Sequence, residues 1–200
     1  MKTTICILFC LSLSLSCMGQ TFPTEAISKN NQAMKTAGFF DNKDSLVKAV
    51  HLLDESIHIC PTYVLAYTNK AQCLSKLGDL KEALNTILIV EKQASRNPYI
   101  YTTKGILLEK NKNLSEAKKA YQRSIELFRE CLKENPENSG DFENMLFTML
   151  LLNNKILSLS DIEKIKVTMK LKFSKSDELK FINFYRTYTS FNRNDFLMDN

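Results

Sequence analysis

The side chains best able to do chemistry in this chain of 200 residues are two histidines and six cysteines. His51 and His58 are seven residues apart, whereas two metal-binding histidines on one helix favour i and i+4 spacing, with a carboxylate close by. The chain contains no GxxxxGKS/T, GxGxxG or GxSxG motif, so a phosphate-binding loop and a nucleophile elbow are not indicated. We therefore predict no metal site, no cofactor and no catalytic residue.

The N-terminal residues carry a pattern typical of export. Lys2 precedes an uncharged apolar run over residues 5–15, which is shorter than the about 20 residues of a membrane span. A short basic start followed by such a run is the pattern of a secretory signal. We predict a signal peptide over residues 1–19 and a protein that resides in the periplasm or at the outer membrane, or is secreted.

Cys17 is the candidate for a covalent lipid anchor. Ser14-Leu15-Ser16-Cys17 resembles a bacterial lipoprotein signal, in which the cysteine after a small residue receives the lipid, although the usual leucine three places before the cysteine is Ser14 here. Acyl chains anchor a protein by burying methylene groups in the bilayer. The alternative is cleavage after Gly19, which leaves a soluble protein beginning at Gln20. Membrane contact is predicted only through this anchor.

Composition indicates a helical protein that does not bind nucleic acid. The chain has 27 Lys and Arg against 22 Asp and Glu, and the formal charge of +5 is spread along the sequence. That is too weak a bias for a nucleic-acid surface. Five Gly, four Pro and 44% hydrophobic residues suit a helical domain with a sizeable core.

An internal repeat defines the elements. Ala49, Ala83 and Ala117 follow one another at a spacing of 34 residues, and the Glu-Ala pair at 82–83 recurs at 116–117. Gly78 and Asp79, just before the second copy, suit the end of one helix and the start of the next. The period predicts repeated helical hairpins, each with an apolar face that only its neighbour covers.

These residues resemble the tetratricopeptide repeat family. The resemblance divides residues 20–135 into units at about 30–63, 64–97 and 98–131. It depends on Ala37, Phe40, Ala49, Leu53, Ser56 and Pro61 in the first unit, Tyr67, Ala71, Leu74, Gly78, Ala83, Ile87 and Val90 in the second, and Tyr101, Gly105, Leu108, Ala117, Tyr121 and Ser124 in the third. It implies an all-α fold, a right-handed α-solenoid of about three hairpins.

Beyond the repeats, residues 136–200 are predicted to form a degenerate fourth hairpin and a C-terminal capping helix. Ser160 is the predicted N-cap of the second helix of that hairpin. The last helix carries Phe181, Phe184, Tyr185 and Tyr188 at helical spacing, which predicts a buried stripe. The alternative is that this stripe forms a dimer or partner surface.

The resemblance also implies that the first helix of each hairpin lines a concave face that binds a segment of another protein or a peptide. Family members that hold the acidic C-termini of cytosolic chaperones use Lys-Asn and Lys-Arg pairs, and only Asn69 matches such a place here. We therefore predict no such clamp. The residues expected on this face are Asn31, Met34 and Gly38 in the first unit, and Leu65, Thr68, Asn69, Gln72, Lys76, Tyr99, Thr102, Ile106 and Glu109 in the other two.

The function predicted from these features is that of a non-enzymatic interaction scaffold of the cell envelope. The alternative is an inhibitor or immunity-type protein that binds and blocks one secreted enzyme. The sequence alone does not distinguish the two, since both need only a surface that binds another protein.

Overall fold

The computed structural model describes residues 21–38, 42–192 and 196–197. Over these residues the chain forms nine α-helices and no strand. The signal peptide predicted over residues 1–19, with Cys17, lies outside the described residues. The helices are α1 (Thr24–Ala37), α2 (Lys43–Ile59), α3 (Val64–Lys76), α4 (Leu80–Glu91), α5 (Pro98–Lys110), α6 (Leu114–Glu134), α7 (Ser139–Asn153), α8 (Leu159–Met169) and α9 (Lys175–Ser190).

The helices stack as hairpins. α1 packs on α2, α3 on α4 and α5 on α6, and each hairpin meets the next through the pairs α2–α3, α4–α5 and α6–α7. The first helices of successive hairpins also touch, α1 with α3 and α3 with α5. Packing of each unit on its nearest neighbours is the architecture of a helical solenoid. The predicted all-α solenoid is confirmed.

The 34-residue period is followed by the second helix of each hairpin. Ala49, Ala83 and Ala117 occupy equivalent positions of α2, α4 and α6, and all three are buried. The residues four and seven places later in each helix, Leu53 and Ser56, Ile87 and Val90, Tyr121 and Ser124, are buried as well. Small side chains at the three alanines let two helix backbones approach closely.

The first hairpin departs from the period in its first helix. α1 begins at Thr24, whereas the period places the start of the first unit at about residue 30. α1 ends at Ala37 and α2 begins at Lys43, a longer connection than the one between Lys76 and Leu80. α1 therefore does not follow the 34-residue spacing that was used to place Asn31, Met34 and Gly38. Gly38 ends α1 with a φ of 55°.

The corners of the second and third hairpins share one geometry. Gly78 has a φ of 87°, and the Asp79 side chain accepts a hydrogen bond of 3.0 Å from the Glu82 amide at the start of α4. In the third hairpin Lys112 takes the left-handed conformation with a φ of 61°. A glycine end followed by an acidic cap is the helix stop and start that the sequence predicts.

Helices α7, α8 and α9 close the end of the array. α7 packs on α6, and α9 packs on α7. α8 is capped by Ser158, whose hydroxyl accepts from the Asp161 amide at 3.2 Å, so the predicted cap at Ser160 is corrected. Ile162 of α8 is buried in the same apolar cluster as α7.

The aromatic stripe of α9 is part of this closure. Phe181 and Phe184 pack against the cluster that contains Phe142, with 5.9 Å between the ring centroids of Phe142 and Phe181. Tyr188 is buried, and its hydroxyl accepts a hydrogen bond of 3.2 Å from the Leu157 amide. The last helix thus packs at the end of the array, at the position predicted for a capping helix.

Gly105 provides the closest approach inside the third hairpin. A Cβ atom built on Gly105 would lie 2.4 Å from Cε1 of Tyr121, which is shorter than any real contact of this kind. Tyr121 is itself buried, and its hydroxyl donates to Glu109 at 2.9 Å. Because the Tyr121 ring is fixed by burial and by this hydrogen bond, it cannot move away from a side chain at position 105. The packing of α5 on α6 therefore requires glycine there.

We expect Gly105→Ala to lower the free energy of unfolding. Overpacking costs ~1–3 kcal/mol, partly offset by the about 1 kcal/mol that alanine contributes over glycine in a helix interior. Urea unfolding followed by circular dichroism measures the net loss. In a Tyr121→Leu background the same substitution should stabilise, because the ring that the methyl group meets is absent. Stabilisation by Gly105→Ala in the wild-type background would contradict this packing.

Candidate partner-binding groove

The first helices α1, α3 and α5 lie side by side, so their shared surface is the candidate groove. On α3 and α5 no residue is fully exposed, and the accessible surface is a strip of partly buried side chains, whereas α1 also has exposed residues. Five of the nine residues that the sequence assigns to this face in the second and third units are only partly buried. They are Leu65, Gln72 and Lys76 on α3 and Ile106 and Glu109 on α5.

The other four assigned residues are buried. Thr68, Asn69, Tyr99 and Thr102 expose 0%, 4%, 6% and 7% of their surface. Their polar groups are satisfied inside the fold, so the structure reassigns these residues from partner contact to contacts within the array. Buried polar groups need such partners, since an unpaired one costs about 1–3 kcal/mol.

Asn69 joins the first two hairpins. Its Nδ2 donates to Oδ1 of Asn30 at 2.8 Å, which links α3 to α1. Asn30 is also buried. The Asn69 amide is therefore engaged by the protein itself.

Thr102 belongs to a network of hydroxyl groups at the third hairpin. Its Oγ1 lies 2.7 Å from Ser124 Oγ and 2.9 Å from Thr148 Oγ1. Ser124 in turn donates to the Pro98 carbonyl at 2.9 Å, and Thr148 donates to the Asn144 carbonyl at 2.8 Å. The network ties together α5, α6 and α7.

Tyr99 and Asp141 form a second buried link between α5 and α7. The Tyr99 hydroxyl donates to Asp141 Oδ1 at 2.6 Å, and Asn138 Nδ2 donates to Asp141 Oδ2 at 2.8 Å. Burial raises the pKa of Asp141 to about 6, although the hydrogen bond from Tyr99 opposes the rise. Desolvation of the carboxylate outweighs the donor that stabilises it.

The Glu109 carboxylate is oriented from the second helix of its own hairpin. Tyr121 reaches from α6 across Gly105 to donate its hydroxyl to Glu109 Oε2. The α5 part of the strip therefore has one apolar side chain, Ile106, and one oriented carboxylate, Glu109. The α3 part offers the Leu65 side chain, the Gln72 amide and the Lys76 ammonium group.

Two further lysines in the first helices have structural roles that the sequence analysis did not identify. Lys70 and Lys104 are 34 residues apart, and each binds a carboxylate of the preceding hairpin, Lys70 with Asp54 at 2.7 Å and Lys104 with Glu91 at 2.6 Å. Their repeat spacing is the signal that could have predicted this. Both ion pairs connect successive hairpins, so we do not assign Lys70 and Lys104 to the groove.

In the described part of the chain, no group of three or more His, Cys, Asp or Glu side chains is arranged to hold a metal ion. None of the helices there combines the length and apolar content that crossing a bilayer requires. The strip is thus built from side chains that can bind another protein by apolar contact, amide hydrogen bonds and charged groups.

The fold and this surface define the class, a helical-repeat protein of the kind that binds other proteins. Family models described as tetratricopeptide repeat match residues 52–85 and residues 98–131. The second match covers α5 and α6 as far as Cys131, and its bounds are those predicted for the third unit. The chain contains tetratricopeptide repeats over these two stretches.

A curated relative gives a local likeness. The chain is 34% identical over 107 residues to Hsp70-Hsp90 organizing protein 3 of Arabidopsis thaliana, an alignment over 52% of this chain and 17% of that protein. The chain therefore spans about a sixth of that relative's length. The likeness, together with the repeats, indicates a protein that interacts with other proteins.

The carboxylates between α7 and its neighbours predict an unusual dependence of stability on pH. Burial also raises the pKa of Glu143, to about 7, a rise that Lys180 opposes and Asp177 reinforces. Because the pKa values of Asp141 and Glu143 are both raised in the folded state, the folded protein binds more protons than the unfolded protein between about pH 4 and 7. The free energy of unfolding should therefore increase as the pH falls from 7.5 to 5.

Glu143→Gln should reduce this dependence. At pH 7.5 it removes a partly buried charge, and we expect stabilisation of the order of 1 kcal/mol after allowance for solvent screening. Urea unfolding between pH 5 and 7.5 measures both effects. Glu137→Gln, at an exposed position, is the matched control. Equal pH profiles for wild type and Glu143→Gln would contradict the assignment.

Proposed function

We propose that this protein is a non-enzymatic scaffold of the cell envelope that holds a segment of a partner protein in the groove between its first helices. The observation that carries the proposal is the accessible strip on adjacent helices, with Leu65, Gln72 and Lys76 on α3 and Ile106 and Glu109 on α5. Its mixed character favours a segment held by apolar pockets and amide hydrogen bonds.

The strip argues for a partner other than an acidic chaperone tail. The relative's printed name concerns Hsp70 and Hsp90, but this chain spans 17% of that protein. Asn69 is engaged by Asn30, and the strip combines one basic residue, Lys76, with one acidic residue, Glu109, so these two side chains give it no net positive charge. A segment of neutral or mixed charge with large apolar side chains fits better, since like charges juxtaposed at an interface are unfavourable.

The envelope location is supported by the N-terminal sequence. Residues 1–19 have the basic start and apolar run of an export signal, and Cys17 follows a small residue. A lipid on Cys17 would hold the array at a membrane surface with the groove available to proteins of that compartment. Without the lipid, the same groove would act in the periplasm or outside the cell.

Site-specific photo-cross-linking tests the groove. A photoreactive phenylalanine analogue at Gln72 or at Ile106 should cross-link one and the same partner in living cells. The analogue at Lys48 or Lys118, which are exposed on second helices, should not. Ile106→Asp should weaken partner binding at least tenfold by placing a charge in an apolar contact. Cross-links from the second helices alone would refute the groove.

The same experiment separates scaffold from inhibitor. Several structural proteins of the envelope among the cross-linked products support a scaffold. One secreted enzyme, whose activity the purified protein blocks at a one-to-one ratio, supports the inhibitor or immunity-type function instead.

Labelling with a fatty-acid analogue tests the anchor. Wild-type protein should incorporate the label and fractionate with membranes, because lipidation occurs on the Cys17 sulfur. Cys17→Ser should lose both properties, and Cys60→Ser, which alters a buried free thiol, should keep them. Absence of label in the wild type ends the lipid-anchor hypothesis but leaves export open.

A further inference from the structure

The residues that follow α9 return to the helical array. α9 ends at Ser190, and Phe191 adopts an extended conformation with φ −70° and ψ 123°. The Phe196 amide then donates to the Asn192 carbonyl at 3.1 Å, a spacing of one helical turn. We call Phe191, Asn192, Phe196 and Leu197 the C-terminal segment; the positions between Asn192 and Phe196 lie outside the described residues.

The C-terminal segment packs on Phe147 of α7. The ring centroids of Phe191 and Phe196 lie 5.2 and 6.0 Å from that of Phe147, both in edge-to-face geometry. They also lie 5.3 Å from one another. Edge-to-face contacts at such distances are the favourable geometry for aromatic pairs. Phe147 is consequently only 4% exposed.

The Phe147 contact continues the candidate groove. Phe147 belongs to an apolar cluster with Leu108 and Leu151, and Ile106 packs at the margin of the same cluster. Ile106 is a residue of the accessible strip on α5. The C-terminal segment therefore covers the α7 end of the groove, where the strip would otherwise extend.

α9 does not depend on this contact to stay docked. Its aromatic residues pack in a different cluster, with Phe142 and Ile162. Tyr188 is buried there and binds the Leu157 amide. Phe191 follows the last residue of α9 and borders both clusters. Phe191 and Phe196 can therefore leave Phe147 while Tyr188 and the other aromatic residues of α9 stay packed.

We propose that the Phe147 surface is a subsite of the groove that takes a pair of phenylalanine side chains from a partner segment, and that the C-terminal segment occupies it in the isolated chain. The partner carries two large aromatic residues spaced like Phe191 and Phe196, and it displaces the C-terminal segment when it binds. This inference rests on the proposed groove function and adds to it the chemistry of the partner and a built-in competitor.

Tethering sets the size of the effect. A segment joined by a short linker has an effective concentration in roughly the mM range. Suppose that a free peptide with the sequence of the C-terminal segment binds the empty subsite with a Kd of about 0.1 mM. Competition from the tethered segment should then weaken the apparent affinity of that peptide about tenfold.

Tryptophan fluorescence tests the intramolecular contact. The chain contains no tryptophan, so Phe196→Trp introduces a single reporter into the full chain. Its emission should be blue-shifted and shielded from acrylamide, and Phe147→Ala in the same protein should shift it to the red. Asn183→Trp, exposed on α9, is the solvent-accessible control. Emission of Phe196→Trp equal to that control overturns the contact.

A competition experiment tests the subsite. The probe is a fluorescent peptide of residues 190–200, added to the full wild-type chain and to the full Phe191→Ala/Phe196→Ala variant. We expect at least tenfold tighter binding to the variant, and no binding of a peptide in which both phenylalanines are alanine. Absence of binding to a variant whose circular dichroism and Tm match the wild type overturns the proposal.

Failure of the subsite proposal can be distinguished from failure of the proposed groove function. Loss of peptide binding with continued cross-linking from Gln72 refutes the subsite alone, whereas peptide binding without any cross-linked partner refutes the proposed function alone. Light scattering that shows a dimer dependent on Phe196 would place the segment on a second copy of the chain and would overturn the intramolecular occupant.

Discussion

Close approach of paired helices at small residues is the constraint on which the rest of this structure depends. Ala49, Ala83 and Ala117 recur at one spacing and are buried at the centre of each hairpin. Close approach also requires the glycine at position 105, because the Tyr121 ring occupies the space that a side chain there would need. With the two helices of a hairpin this close, each unit presents its neighbour with a flat apolar face, and stacking follows. The candidate groove forms because stacking places the first helices side by side.

The sequence predicts the second helices better than the first. The alanines at a spacing of 34 residues fix α2, α4 and α6, whereas the register of α1 is displaced because the connection from Ala37 to Lys43 is longer than its counterparts. A period shows which residues are equivalent, and it cannot show where one repeat contains extra residues. The C-terminal cap was predictable because the aromatic stripe of α9 has helical spacing.

The groove residues show a different limit. Helical spacing groups Thr68, Asn69, Tyr99 and Thr102 with the first helices, but it does not show that the protein itself covers them. Thr102 lies against Ser124 of α6, and Asn69 lies against Asn30 of α1. Polar character suggested partner contact, and the structure instead uses it between units, in Asn30–Asn69, Tyr99–Asp141 and Thr102–Thr148. Half-buried neighbours such as Gln72 and Ile106 keep the role that the sequence assigned as a prediction.

The placement of these buried hydrogen bonds bears on the relative position of the groove residues. They join α1 to α3 and α5 to α7, whereas α3 and α5 meet in an apolar cluster with Ala71, Leu74, Ile100 and Leu107. Gln72 and Ile106 lie on opposite sides of this apolar junction, and the ion pair between Lys104 and Glu91 bridges the same two hairpins. The relative position of Gln72 and Ile106 is therefore set by close apolar packing together with that partly exposed ion pair.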